Sequence, residues 1–216
     1  MTPDQSQKGE KTTGWRAVLG LPSVYSAVQN LLGANRVRHV LTDQYLKPTP
    51  GMRVLDIGCG PADMLNFLPD VTYVGVDHSE SYIEAARTQF GDRGTFRVGD
   101  AAELQSDEPP FDLVLAIGLL HHMTNAQVQA FVSMAAKLLK PTGRFVSLDP
   151  CYSDEQSSIA RAFIKRDRGQ FVRHAEDYRR ATEGVFAHVN LEVRHDLARM
   201  PYSHAIMVSS AEPLTS

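Results

Sequence analysis

The stretch Val-Leu-Asp-Ile-Gly-Cys-Gly-Pro-Ala at residues 54–62 decides the fold. An apolar run that predicts a buried strand leads into Gly58 and Gly60, which let the backbone come close to a ligand where a helix begins. Asp56 stands two positions before the first glycine, and Asp63 replaces the third glycine of the G-x-G-x-x-G fingerprint of dinucleotide-binding proteins. The stretch therefore predicts a ligand-binding strand–loop–helix unit and argues against a nicotinamide oxidoreductase.

Short apolar runs alternate with helical patterns on both sides of this stretch, which favours a parallel sheet covered by helices on both faces. The last two predicted strands are joined by a connection too short for a parallel crossover, so we expect an antiparallel hairpin there. The fold class predicted is α/β: a Rossmann-like three-layer sandwich with a mostly parallel seven-stranded sheet and one antiparallel strand near the edge. Strands are predicted at 53–57, 73–76, 95–98, 113–117, 145–148, 191–197 and 204–209, and helices at 63–68, 80–90, 101–104, 125–139 and 154–172.

The length of 216 residues suits one domain with a full core. Residues 1–13 are polar and are predicted to form a disordered leader. The single domain at 14–216 is predicted to open with helices at 24–46, which Gly33 breaks in two. A basic cap is predicted as an insert at about 152–183.

Composition excludes several classes of protein. No segment approaches the roughly 18 consecutive apolar residues of a membrane span, and no apolar signal core is present, so a cytoplasmic protein with no membrane partner is predicted. A net charge of -3 argues against broad binding of nucleic acid. Two cysteines cannot build a disulfide framework, and no ligand pattern predicts a metal site. The oligomeric state stays open.

The motif at residues 54–62 resembles the glycine-rich D/E-x-G-x-G-x-G motif of the class I S-adenosylmethionine-dependent methyltransferases, with Ala62 at the last position. The resemblance covers about residues 50–150 and is closest to small-molecule methyltransferases. It implies S-adenosylmethionine as the cofactor and a small-molecule acceptor, such as a saccharide, another secondary metabolite or an anionic compound. An RNA or protein methyltransferase and a non-catalytic S-adenosylmethionine-binding protein are the alternatives.

The acidic residues at the ends of the first two strands predict contacts with this cofactor. Asp56 is placed to face the ammonium of the methionine moiety, while Gly58 and Gly60 form the backbone cradle. Asp77 ends the next strand, where a carboxylate accepts hydrogen bonds from both hydroxyls of a ribose; capping of the following helix is the alternative. The resemblance places His78 beside the adenine, and a solvent-facing turn is the other interpretation.

Two further strand ends complete the predicted cofactor site. The resemblance implies that Asp100 accepts the adenine amino group and that the backbone N–H of Ala101 serves a ring nitrogen; Gly-Asp is also an ordinary turn pair. Ile117, at the end of the fourth strand, is predicted to pass near the sulfonium.

His121 and His122 follow the fourth strand and resemble the His-His pair of many small-molecule methyltransferases. Histidine is suited to taking a proton near neutral pH, so both are candidate catalytic residues. Consecutive residues do not share a face of a helix or strand, and the two therefore cannot perform the same task. A packing role is the alternative for each.

The acceptor site is predicted from the fifth strand and the cap. Asp149 ends that strand and is predicted to reach the substrate, unless it is only a turn acid before Pro150. Residues 161–180 contain seven Lys or Arg against three acids. Arg168 and Arg173 are the preferred candidates for contact with an anionic group, because guanidinium pairs bidentately with carboxylate or phosphate. A solvated helix face is the alternative.

Overall fold

The computed structural model describes residues 33–104, 109–166 and 169–213. The predicted leader, the first of the two predicted N-terminal helices and Arg168 lie outside the described residues. Within the described ranges, no helix combines the length and the apolar character needed to cross a bilayer.

The first described element is a helix that docks onto the far edge of the sheet. Helix α1 (Ala34–Val40) follows Gly33, whose φ of 102° is in the left-handed region, and it continues as a wider π-helical turn over Leu41–Leu46. Tyr45 in this turn donates from its hydroxyl to Glu192 Oε2 at 2.7 Å and accepts from Arg194 Nη1 at 3.0 Å. The turn is thereby held to a strand that is almost 150 residues further along the chain.

The sheet has the predicted architecture. Its strands are β1 (Arg53–Ile57), β2 (Thr72–Asp77), β3 (Gly94–Val98), β4 (Phe111–Ile117), β5 (Leu139–Tyr152), β6 (Arg173–His174), β7 (His188–Arg194) and β8 (His204–Ser210). Seven of them lie in the order β3-β2-β1-β4-β5-β8-β7, with β8 antiparallel to both of its neighbours and the other pairings parallel. The two-residue β6 pairs separately, in parallel, with the end of β5. The predicted fold class, including the terminal hairpin, is confirmed.

Three of the four α-helices that the structure describes between the strands begin at a polar side-chain cap. The four helices are α2 (Glu80–Phe90), α3 (Asn125–Leu138), α4 (Ser158–Ile164) and α5 (Ala175–Arg180), together with 3₁₀ turns at Asp63–Phe67, Gly91–Arg93, Ala101–Glu103 and Leu120–His122. Ser79 accepts from the backbone N–H of Tyr82, and Thr124 and Gln127 form a reciprocal capping box.

The helix predicted at 154–172 is shorter in the structure, and the second half of the prediction is wrong. Helix α4 ends at Ile164, and the chain returns to the sheet as β6. The reason is a tertiary contact. Gly169 packs so closely against His121 that the side chains of a continuing helix have no space there.

Both faces of the sheet are buried, as the apolar runs predicted. Neighbouring residues of β1, β4 and β5 point to opposite sides, so Leu55 and Val54 lie in different core clusters. One face is covered by α3 and α5, with Phe131 and Tyr178 in its cluster. The other is covered by α2 and the π-helical turn. A three-layer sandwich results.

The burial of β8 gives a stability test. Ile206 is 1% exposed between β5 and β7, whereas Ile159 on α4 is 58% exposed. We expect Ile206→Ala to lower the free energy of unfolding by about 2–5 kcal/mol, because the truncation removes buried contacts and leaves a cavity. Ile159→Ala is the matched control and should stay within about 0.5 kcal/mol. Urea unfolding of both variants measures this, and equal losses would contradict a buried β8.

Candidate functional site

The predicted cofactor residues meet at one edge of the sheet. The strand order runs away in opposite directions from the β1–β4 pair, so the connections after these two strands leave to opposite faces. Such a switch point opens a crevice outside the carboxyl ends of the strands. The residues that the structure brings to this crevice are Asp56, Gly58, Gly60, Asp77, His78, Asp100, Ala101 and Ile117, all at or directly after the ends of β1 to β4.

The glycine loop after β1 is held open by backbone contacts. Gly58 has φ 72° and donates from its N–H to Val76 O at 2.8 Å. A Cβ on Gly58 would lie 3.0 Å from Leu119 Cδ1, so this position has no space for a side chain. Gly60 has φ 55°, and a Cβ there would meet nothing within 4 Å in the described structure. The loop backbone at Gly60 therefore borders open space.

Asp56 places a buried carboxylate at the base of the crevice. It is 2% exposed, and its Oδ2 accepts a hydrogen bond of 2.7 Å from the Tyr73 hydroxyl. Burial raises the pKa of Asp56 to about 6, against the opposing effect of the Tyr73 hydrogen bond. Burial also raises the pKa of Tyr73 well above its ordinary value, so this hydroxyl keeps its proton and donates. A carboxylate in such a place favours a cationic neighbour.

Asp77 ties the glycine loop to the start of α2. Its Oδ2 accepts from the Gly60 N–H at 2.9 Å, and its Oδ1 accepts from the Ser79 N–H at 2.8 Å. The helix cap itself is the Ser79 side chain, so Asp77 lies outside that capping position. Each carboxylate oxygen has a second lone pair, which leaves acceptor capacity for a ligand. His78, next to it, is exposed.

The end of β3 presents a polar and an apolar group side by side. Asp100 is exposed, and its Oδ1 accepts from the Ala102 N–H at 2.9 Å, which caps the 3₁₀ turn. Val98 is 45% exposed, although valine is usually buried. Ala101 is buried, and Ile117 at the end of β4 is half-buried. This side of the crevice combines hydrogen-bonding groups with uncovered apolar surface.

The two histidines after β4 have different environments. His121 is buried, and its side chain bonds Asp149: Nδ1 lies 2.8 Å from Oδ1. Since a carboxylate only accepts, Nδ1 carries the proton in this bond. The backbone N–H of His121 donates to the same oxygen at 3.1 Å. His122 is exposed, with its ring 4.1 Å from that of His121.

Asp149 is the most deeply buried acid at this edge. It is 1% exposed and lies within β5, which continues past the predicted strand end to Tyr152. Its Oδ2 has no hydrogen-bond partner among the residues that the structure describes. Burial of a carboxylate is costly unless a charge or hydrogen bonds compensate it. The imidazole of His121 is the compensating group that the fold supplies. Asp149 is therefore not an exposed turn residue before Pro150 but the buried hydrogen-bond partner of His121, a candidate catalytic residue.

Of the two predicted acceptor-binding arginines, the structure describes only Arg173, which bonds other parts of the polypeptide. Arg173 donates from Nε to Asn125 Oδ1 at 2.7 Å and from Nη1 to Leu120 O at 3.0 Å. Its Nη2 also bonds Met123 O. These contacts hold the cap to the turn that carries His121. Binding of substrate by Arg173 stays a prediction, as it does for Arg168.

Arg38 is a crevice residue that sequence reasoning missed. It lies on α1, and its Nη2 is 3.2 Å from Asp63 Oδ2, with the two side chains 14% and 13% exposed. Asp63 begins the 3₁₀ turn that follows the glycine loop. The charge of Arg38 also lowers the pKa of Asp56, against the larger effect of burial. The only signal in the sequence was a basic residue in a predicted helix, which does not say what the helix packs against.

Known proteins share this strand–glycine–helix arrangement. A family described as a methyltransferase domain matches residues 54–143. An uncharacterised methyltransferase of Synechocystis is 34% identical over 134 residues, which cover 59% of this chain and 63% of that protein. The 27-O-demethylrifamycin SV methyltransferase of Amycolatopsis mediterranei is 36% identical over 115 residues, covering 48% and 42%. The ubiquinone biosynthesis O-methyltransferase of Agrobacterium fabrum is 35% identical over 102 residues, covering 45% and 40%. The chain thus matches less than two thirds of the length of these curated relatives.

Solved structures extend the likeness to nearly the whole chain. The S-adenosylmethionine-dependent methyltransferase SibL in its apo form has a TM-score of 0.67 at 18% identity, covering 93% of this chain and 60% of that one. A methyltransferase from Haloferax volcanii, described as putative and solved with its Trm112 activator, has a TM-score of 0.70 at 17% identity, covering 94% and 100%. At such identities the likeness concerns the fold alone.

Residues 54–143 thus match a methyltransferase domain, and the fold is that of solved S-adenosylmethionine-dependent methyltransferases. The family implies S-adenosylmethionine as its cofactor, and the crevice of this methyltransferase domain fits that molecule. The buried Asp56 carboxylate suits an ammonium group, and the open space at Gly60 suits close approach of a ligand to the backbone. Exposed Val98 beside Asp100 suits a flat ring with a polar edge. Among the described residues, no three potential metal ligands come together.

The raised pKa of Asp56 predicts a pH-dependent stability difference. In the unfolded chain this carboxyl has its ordinary pKa of 3.8, against about 6 in the fold. Ionisation therefore destabilises the fold as the pH rises from about 4 to 6, and above that range the penalty is complete at roughly 3 kcal/mol. Asp56→Asn carries no charge, so we expect its stability gain over the wild type to be small at about pH 4 and largest at about pH 8. Urea unfolding at both pH values measures it, and a gain independent of pH would contradict the assignment.

Proposed function

We propose that this protein transfers the methyl group of S-adenosylmethionine to a hydroxyl group of a small-molecule acceptor. The observation that carries the proposal is the buried His121–Asp149 pair beside the cofactor crevice, because it provides a base for a hydroxyl proton. The O-methyltransferase names of two curated relatives agree with this chemistry. A saccharide or anionic acceptor and a cytoplasmic location stay predictions from the sequence.

The cofactor is held by charges of both signs at one end of the crevice. Asp56 binds the ammonium of the methionine moiety, and Arg38 on α1 binds its carboxylate, since guanidinium is suited to that group. Asp77 accepts from the ribose hydroxyls, while Gly58 and Gly60 allow the backbone to approach. When bound, S-adenosylmethionine supplies an electrophilic methyl group on a positively charged sulfur.

The other end of the crevice binds the adenine. Asp100 accepts from the exocyclic amino group, and the N–H of Ala101 donates to a ring nitrogen. Val98, which is exposed in the described structure, covers one face of the ring. Ile117 borders the position of the methyl group, and His78 lies at the outer rim.

His121 takes the proton of the acceptor hydroxyl. Asp149 fixes the tautomer by accepting from Nδ1, so proton transfer falls to Nε2. His121 Nε2 would accept the hydroxyl proton of the acceptor, and the Asp149 carboxylate would stabilise the resulting imidazolium. The cofactor would supply the methyl group and leave as S-adenosylhomocysteine. A base of this kind contributes about 10²–10⁴-fold to the rate. Placement of the two reactants contributes more, about 7–11 kcal/mol at its upper range.

Cofactor binding is tested at Asp77. Asp77→Asn removes the negative charge that accepts from ribose, and a hydrogen bond to a charged group is worth about 1.5–3 kcal/mol. We expect the affinity for S-adenosylhomocysteine, measured by calorimetry, to fall at least about tenfold. Asp70→Asn is the matched control, since Asp70 is exposed before β2 at the opposite edge of the sheet. Equal affinities in the two variants would contradict a cofactor site at Asp77.

Methyl transfer is tested with labelled S-adenosylmethionine and a panel of phenols, sugars and hydroxy acids. With any acceptor that reacts, His121→Gln should lower kcat by about 10²–10⁴-fold and leave S-adenosylhomocysteine affinity unchanged. Asp149→Asn should lower kcat through the wrong tautomer, whereas His122→Gln should keep most of it, because His122 is exposed. A His121→Gln enzyme with wild-type kcat would refute the base. Cofactor binding without transfer to any hydroxyl or amine would favour the non-catalytic alternative.

A further inference from the structure

A short segment of the cap lies across the turn that carries His121. The segment is residues 169–173, here named the strap, and the turn is residues 120–125, here named the histidine turn. Alternate strap residues make the contacts: Gly169, Phe171 and Arg173 each bond or pack against the histidine turn. These contacts hold the strap along the histidine turn, with a turn at residues 170–171 before the chain enters β6.

Gly169 packs against the imidazole itself. A Cβ at this position would lie 1.9 Å from His121 Cδ2 and 2.8 Å from Cγ. Such distances are far below any van der Waals contact, so any larger residue would displace the ring or the strap. The ring is thus held at two places: Asp149 bonds Nδ1, and Gly169 lies against the Cδ2 edge.

The backbone of the strap also fixes the backbone of the histidine turn. The Phe171 N–H donates to His121 O at 3.0 Å. The peptide groups on both sides of the His121 Cα are therefore bonded to elements outside the turn, since Asp149 accepts from the His121 N–H. Rotation of this residue's backbone would break at least one of these bonds.

Arg173 donates hydrogen bonds to two other carbonyl groups of the histidine turn. Its guanidinium bonds Leu120 O and Met123 O, which flank the two histidines, and also Asn125 Oδ1. The guanidinium lies over the ring of Tyr178, 5.5 Å from its centroid. Tyr178 donates to Pro150 O at 3.0 Å, directly after Asp149. A planar fork makes these contacts at once, which the single ammonium of a lysine does not.

We infer that the strap sets the position of the His121 imidazole, with Arg173 as a positioning residue that acts through the histidine turn. The kinetic part of this inference rests on the proposed function, whereas the position of the imidazole does not depend on it. A misplacement of about 1 Å can cost about 10²-fold in rate, so a fixed turn matters for proton transfer. Acceptor binding by Arg173, the alternative from the sequence, predicts a different effect: a higher KM with kcat retained.

The test compares three strap variants with one control. Arg173→Met removes the donors, Arg173→Lys keeps the charge without the fork, and Gly169→Ala introduces the colliding Cβ. Arg180→Met is the matched control, because Arg180 on α5 has a side chain 67% exposed and pairs with Asp177 of its own helix. If Arg173→Met fails to fold, Arg173→Lys and Gly169→Ala carry the test.

The first readout needs no acceptor. In ¹⁵N–¹H spectra of the imidazoles, with His121 assigned through His121→Gln, the wild type should show the Nδ1-protonated tautomer. Each strap variant should show a mixed or shifted tautomer signature, while S-adenosylhomocysteine affinity stays within about twofold. Arg180→Met should match the wild type. An unchanged His121 signature in folded strap variants overturns the inference.

The second readout is kinetic. With a reacting acceptor, the strap variants should lose at least about tenfold in kcat with KM unchanged, and millimolar guanidinium should restore part of the rate to Arg173→Met but not to Gly169→Ala. A raised KM with wild-type kcat overturns the inference in favour of acceptor binding. If His121→Gln keeps full activity while the strap variants still disturb the imidazole signals, the proposed base fails and the positioning role stands.

Discussion

The parallel pairing of β1 with β4 is the contact on which the rest of this molecule depends. Strands β2 and β3 lie on one side of this pair and β5 lies on the other. The loops that follow β1 and β4 therefore diverge from the carboxyl ends of these two strands. The glycine loop and the histidine turn are those two loops. Cofactor residues and the candidate base therefore face one crevice although about 60 residues separate them in sequence.

This arrangement buries the carboxyl groups of two acidic residues, which is electrostatically unfavourable. Asp56 lies near the end of β1 and bonds a neutral hydroxyl, whereas Asp149 lies within β5 and bonds an imidazole. The difference in partner matches the difference in proposed role. A carboxylate beside a neutral group retains attraction for a cationic ligand, whereas one that bonds an imidazole orients that ring and stabilises its protonated form. The same residue type is thus proposed for ligand recognition on β1 and for proton transfer on β5.

The sequence predicted those parts of the fold that local patterns determine. Strand β1 and helix α2 have the predicted bounds, because an apolar run before glycines and a serine cap before a helical pattern are local signals. The hairpin of β7 and β8 was also predictable, although β7 begins three residues before its predicted start. Its residues alternate between half-buried and exposed, so the apolar pattern marks its boundaries weakly.

The cap shows what local patterns miss. The predicted helix does not continue to residue 172, because Gly169 and Arg173 contact the histidine turn and the chain enters β6 at Arg173. Propensity is a weak prior that tertiary contacts override. Arg38 was missed for the same reason, since its importance arises from the packing of α1 beside the glycine loop.

The basic residues of the cap have partners that a charge count does not reveal. The sequence has an excess of basic residues at 161–180, and that excess alone suggested an anionic acceptor. In the fold, Arg179 and Arg180 pair with acids of their own helix, and Arg173 bonds carbonyls of the histidine turn. Arg161 lies over the ring of Tyr152. Backbone carbonyls and aromatic faces do not appear in a charge count, although they bind guanidinium well. A surplus of arginine therefore predicts an anionic ligand only for those side chains that the fold leaves facing the crevice, whereas the guanidinium of Arg173 bonds a turn of the same chain.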